Sequence, residues 1–151
     1  MPAVQALLLT DAARTAILAL ATYAVWTLLL LVVLVSTRGL IVLRDGHPIT
    51  DFPASVPHGG ERYWRLNRAH LNATENIGVV AALLLAGIFA GLDGWAFRTL
   101  PPVIAGARVL QSLVHLASGS APAVMARVSL LSVQIISLLL IALELVRALV
   151  R

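Results

Sequence analysis

The chain has 151 residues, 60% of them hydrophobic and only 12% charged, with a mean hydropathy of +0.93. A soluble domain carries about twice that charged fraction, so the composition excludes a water-soluble globule and requires lipid around the chain. All 11 basic residues are arginine, spread without a basic stripe or interleaved aromatics, which excludes nucleic acid as the expected partner and fits charges that flank membrane segments.

Zero cysteines exclude disulfides, a thiol nucleophile and cysteine metal sites. His47, His58 and His70 lack metal-ligand spacing, so no metal is expected and all three read as solvated.

In chain order, Thr15–Thr37 is an uncharged apolar run. It is too long for a secretory signal core of about 7–15 residues and long enough to cross a bilayer, which takes roughly 20. Leu40–Leu43 extends it, giving a first span over about 15–43. A loop rich in Gly, Pro and Asp follows. The second span covers about 64–91 and ends at the Gly-Leu-Asp-Gly turn. The third runs over about 100–117, with Thr99 able to cap it and Pro101 tolerated near its start. The fourth covers about 122–149, with Ser132 and Gln134 expected to hydrogen-bond between helices.

Alternating β patterning is absent, and backbone groups in lipid must be satisfied within the segment. The reading is an all-α integral membrane protein, a single four-transmembrane-helix domain over residues 1–151. Five arginines (38, 44, 62, 65 and 68) lie in the first loop and its flanks, against Arg14, Arg98, Arg147 and Arg151 on the other side. The first loop is therefore expected in the cytoplasm.

Arg68, Asn72 and Glu75 fall within about 60° of one another on a helix and make a polar stripe roughly 10 Å long. Arg108 and His115 sit on the third span and Arg127 about one turn into the fourth, toward the same end. A charge in hydrocarbon costs at least about 2.5–3.5 kcal/mol, so these groups should face one another, a wet cleft or a polar ligand. A Glu–Arg pair can be plain interhelical glue. The surplus of arginine over carboxylate points instead to an anionic ligand.

The segment Arg-Ala-His-Leu-Asn-Ala-Thr-Glu-Asn, residues 68–76, resembles the second-helix signature of the MAPEG family, membrane-associated proteins in eicosanoid and glutathione metabolism. Ala107–Leu116 is similar to the family's third-helix segment, and Arg127 matches an arginine near the start of its fourth helix. The resemblance implies a homotrimer that binds glutathione between subunits near the cytoplasmic face. It implies a transferase or peroxidase acting on lipophilic electrophiles that arrive from the bilayer. Arg68, Asn72 and Glu75 would hold the glutathione backbone and terminal charges, with Arg108, Gln111 and His115 at the same site, and Arg127 would be catalytic against the sulfur. Arg38, or alternatively Arg44, would supply the family's first-helix arginine.

The chain departs from the family where Gln111 and His115 replace the usual His and Tyr, and where Val128 and Leu131 replace hydroxyl residues. Ser129 or His115 are the available substitutes. These departures bear on catalysis more than on binding, and keep two other readings open: a non-catalytic lipid-binding scaffold of the same fold, or a proton-coupled transporter using Glu75. The alanine-rich, lysine-free composition suggests a GC-rich bacterial genome and hence an inner-membrane protein.

Overall fold

The structure is a computed structural model and describes residues 10–53, 56 and 58–150; Arg151, counted above among the arginines opposite the first loop, lies outside them. Four helices follow one another: α1 (Asp11–Asp45), α2 (Glu61–Phe89), α3 (Trp95–Ala117) and α4 (Ala121–Val150). All four are long and apolar enough to cross a membrane, and no strand occurs among the described residues. The chain is an integral membrane protein.

Each helix boundary has a local cause. Thr10 opens α1 by accepting a hydrogen bond from the Ala13 amide at 3.2 Å, the usual role of a threonine at that position. Gly46, at φ 69°, closes it in the left-handed region that residues with a Cβ avoid. At 35 residues and about 1.5 Å per residue, α1 outlasts a hydrocarbon core of about 30 Å and carries Arg38 and Arg44 beyond its apolar run. Gly91, at φ 66°, turns the chain out of α2, and the Leu92 amide donates back to the Gly87 carbonyl at 2.9 Å.

The start of α3 differs from the reading that placed a Thr99 cap there. The helix begins at Trp95, with Pro101 and Pro102 inside it, and its cap comes from another helix. The Glu144 carboxylate of α4 accepts from the Ala96 and Phe97 amides at 3.1 and 3.3 Å. The helix N-terminus carries unpaired N–H groups and a partial positive charge, so an ionised side chain from α4 satisfies both. The N-cap residue itself is Gly94 and offers no side chain. A Cβ there would strike the Glu144 carboxylate.

Tyr23, Val80, Leu84, Phe97, Ile104 and Ile141, from all four helices, meet in one buried cluster. Gly87 lets α2 lie directly against the Phe97 ring. A second cluster around Leu30, Leu34, Tyr63 and Leu66 packs α1 on α2 near the first loop. The outer faces of α1 and α4 expose apolar side chains such as Leu28, Val32, Val35, Ile136 and Leu139, which suits lipid rather than water. Ser132 does not reach another helix; its hydroxyl donates to its own helix at Val128. Gln134 does reach one, as expected, through Gln111.

Candidate functional site

The stripe on α2 forms the wall of a cleft. Trp64, Arg68, Leu71, Asn72 and Glu75, with His115 from the last turn of α3, line a space of about 330 Å³. Their spacing of three and four residues puts them on one helix face, and the cleft opens at the end of the bundle bearing the first loop. Arg68 and Glu75 are exposed, Asn72 is half-buried, and His115 is 7% exposed.

Arg108 lies behind this wall rather than in it. Its residue exposure is 1%, and its guanidinium sits 5.3 Å from the Tyr23 ring centroid, within cation–π range. Tyr23 is held in turn by its hydroxyl, which donates to the Ala73 carbonyl at 3.2 Å. Arg108 Nη1 donates to Asn72 Oδ1. Its Nε and Nη2 have no hydrogen-bond partner among the described residues. Glu75 is the carboxylate within its electrostatic reach.

Gln111 is also buried, and it braces α4. Its Nε2 donates to the Arg127 backbone carbonyl at 3.1 Å, and its Oε1 accepts from Gln134 at 3.0 Å. Arg127 is thereby anchored through its main chain, while its half-exposed side chain makes no ion pair among the described residues. Arg68 makes none either. Both arginines act electrostatically on His115, from α2 and from α4. Arg68 thus lines the cleft with Glu75, Arg108 reaches Glu75 electrostatically from behind the wall, and Arg127 acts on the cleft through His115.

Arg38 is placed elsewhere. Its Nε donates to the Tyr63 hydroxyl at 2.8 Å and its Nη2 to Asn67 Oδ1 at 3.2 Å. Its guanidinium also lies 5.7 Å from the Phe52 ring. Tyr63 continues the chain to His58 Nε2 at 3.1 Å, and His58 Nδ1 meets the Val56 carbonyl at 2.7 Å. A carbonyl can only accept, so Nδ1 donates in that bond. His58 is therefore half-buried and bonded through both ring nitrogens, not solvated as its loop position suggested. Arg44 is exposed in the last turn of α1. Of the two candidates, Arg38 is the one that faces the bundle.

Sequence reasoning singled out Arg68, Asn72, Glu75 and His115, which the structure brings to one cleft, and Arg127, which lies beside it. Tyr23, Tyr63, Asn67 and Glu144 were not among the site residues it singled out. The spacing of four between Tyr63 and Asn67 was the signal available for a second polar face on α2. Nothing local announced Glu144. A larger depression of about 600 Å³ lies by the first loop, among Asp45, His47, Asp51, Phe52, His58 and Tyr63; among the described residues no arginine lines it, whereas Arg68 and Glu75 line the smaller cleft, which is the stronger candidate.

Fold and cleft together define an integral membrane four-helix bundle with a polar site, lined by Arg68, Asn72, Glu75 and His115, at one end. The family model for the MAPEG family matches residues 16–147, nearly the whole chain. The chain belongs to the MAPEG family, whose members are membrane proteins with functions generally related to glutathione. Neither the curated proteins nor the solved structures contain a match.

Proposed function

We propose that the protein is a membrane glutathione transferase or peroxidase acting on lipophilic electrophiles. The observation that carries this reading is the charge balance of the cleft. Arg68 lines the cleft with its one carboxylate, Glu75, Arg108 lies behind the wall within electrostatic reach of Glu75, and Arg127 lies close enough to act on His115. That leaves two positive charges, the complement of glutathione in its thiolate form, which carries two carboxylates, one ammonium and the sulfur anion.

Arg68 takes a terminal carboxylate of glutathione, Glu75 the ammonium, and Asn72 the peptide backbone. Arg127 faces the sulfur. A free thiol has a pKa of about 8.5 and reacts as the thiolate. An arginine in a partly desolvated cleft favours that anion and cannot lose its own proton. Among the described residues no hydroxyl side chain lines the cleft, so cationic stabilisation by Arg127 replaces the hydrogen bond that hydroxyl residues supply elsewhere in the family. In conjugation the sulfur forms a bond to an electrophilic carbon, and the leaving group departs with the electron pair. In reduction, two glutathiones give a disulfide while a hydroperoxide becomes an alcohol and water. The hydrophobic partner enters from the bilayer, the active assembly is a homotrimer, and the first loop faces the cytoplasm of a bacterial inner membrane.

The test is ultraviolet difference absorbance at the thiolate band, on detergent-purified protein titrated with glutathione at neutral pH. A saturable thiolate signal that disappears in Arg127→Ala is expected. Saturable binding by calorimetry with no thiolate signal would favour the non-catalytic lipid-binding scaffold, for which the lack of hydroxyls in the cleft already speaks. Absence of any glutathione binding would refute the proposal.

A further inference from the structure

Arg108 has no route to a ligand, yet it touches a residue that does. Asn72 lines the cleft, and its side-chain oxygen is taken from behind by Arg108 Nη1. A guanidinium has N–H donors and no acceptor. The Asn72 atom that faces it must therefore be the carbonyl oxygen, and the amide orientation follows from the chemistry of the partner. The Asn72 NH₂ group meets no acceptor among the described residues, and it is the end of the amide left to the cleft.

From this we infer that Arg108 is a positioning residue that fixes the Asn72 amide with its two N–H donors outward. The cleft thereby selects a ligand offering an acceptor oxygen, a peptide carbonyl or carboxylate, at that point, and rejects one offering an N–H. The inference rests on the glutathione reading for the identity of that ligand, but not for the orientation itself.

Two further observations support it. Arg108 is held on its other side by the Tyr23 ring at 5.3 Å, and Tyr23 is pinned to α2 through the Ala73 carbonyl, the residue next to Asn72. The clamp and the group it orients are thus fastened to the same turn of α2. Burial of Arg108 to 1% exposure removes water that could otherwise bond Asn72 from behind and let the amide flip.

Asn72→Asp separates the possibilities because it keeps the shape. One carboxylate oxygen remains for Arg108, and the other replaces the outward donor with an acceptor. The expected result is a protein at least as heat-stable as the wild type, whose glutathione affinity falls about ten- to a hundredfold, the range expected when a ligand acceptor is left facing no donor. Arg108→Lys keeps the charge but not the planar fork. It weakens glutathione binding about tenfold.

Side-chain amide resonances of ¹⁵N-labelled protein, assigned by their loss in Asn72→Asp, read the orientation without any ligand. Strong broadening of the Asn72 NH₂ signals by a soluble paramagnetic chelate is expected. Protection of those signals, or an Asn72→Asp variant that binds glutathione as tightly as the wild type, would overturn the inference. If the wild type binds no glutathione, the transferase reading fails, while the amide signals still decide the role of Arg108.

Discussion

Replacing Glu144 by alanine removes a cap supplied from 48 residues away. The half-buried carboxylate accepts from two consecutive amides of α3, Ala96 and Phe97, and Gly94 at the N-cap has nothing to substitute for it. A hydrogen bond to a charged group contributes about 1.5–3 kcal/mol, and a carboxylate at a helix N-terminus adds about 0.3–1 kcal/mol through the dipole. The two bonds share one acceptor group and are not additive, so about 3 kcal/mol is the expected cost of Glu144→Ala. For a chain of this size each kcal/mol moves the melting temperature by about 2–4 °C, which gives a fall of about 6–12 °C in detergent, followed by circular dichroism. Glu144→Gln keeps an oxygen in place without the charge and should lose about half as much. Gly94→Asp reverses its sign with context: beside Glu144 its side chain collides with the carboxylate, whereas in Glu144→Ala it caps α3 from its own chain and restores much of the loss. An unchanged melting temperature in Glu144→Ala, or no rescue by Gly94→Asp, would refute the reasoning.

Two further outcomes are expected from the packing around the site. Gly87→Ala drives a Cβ into the Phe97 ring and should destabilise by about 1–3 kcal/mol, the usual range for overpacking; Phe97→Leu in the same chain should recover part of it in the same unfolding assay. Gln134→Leu leaves the buried Gln111 Oε1 without its donor and should cost about 1–3 kcal/mol. Changing Gln111 and Gln134 to leucine together should cost less than the single change, and a larger loss in the double variant would show that Gln111 matters chiefly through its bond to the Arg127 carbonyl.

What could be read from the sequence divides along physical lines. The four spans were legible because a bilayer imposes length and apolarity on each helix separately, and those are properties of consecutive residues. The cleft wall was legible because Arg68, Asn72 and Glu75 repeat at the period of one helix. The roles of Arg108 and Arg127 were not, since periodicity shows that both are polar positions but not which is overlaid by Tyr23 and which stays open. The start of α3 was hidden for a similar reason: Thr99 is a good local cap, but a carboxylate from α4 stabilises an earlier start. Ser132 and Gln134 looked alike as polar residues in a span. Only the longer side chain of Gln134 crosses to α3, while Ser132 satisfies itself on its own helix.

The burial of Arg108 also bears on how the chain enters the membrane. The most apolar 18-residue stretch of its helix has a mean hydropathy of 1.2, the lowest of the four such stretches, against 2.5 for α1 and 2.3 for α4, and an arginine near the middle of a lone span opposes insertion by about 2.5–3.5 kcal/mol. The groups that shelter it, Tyr23 on α1 and Asn72 on α2, both precede it in the sequence. They are therefore already in the bilayer when α3 emerges from the ribosome. The same chain with its helices permuted so that α3 came first would present the arginine to bare lipid, and the order of synthesis is in that sense part of what makes the site affordable.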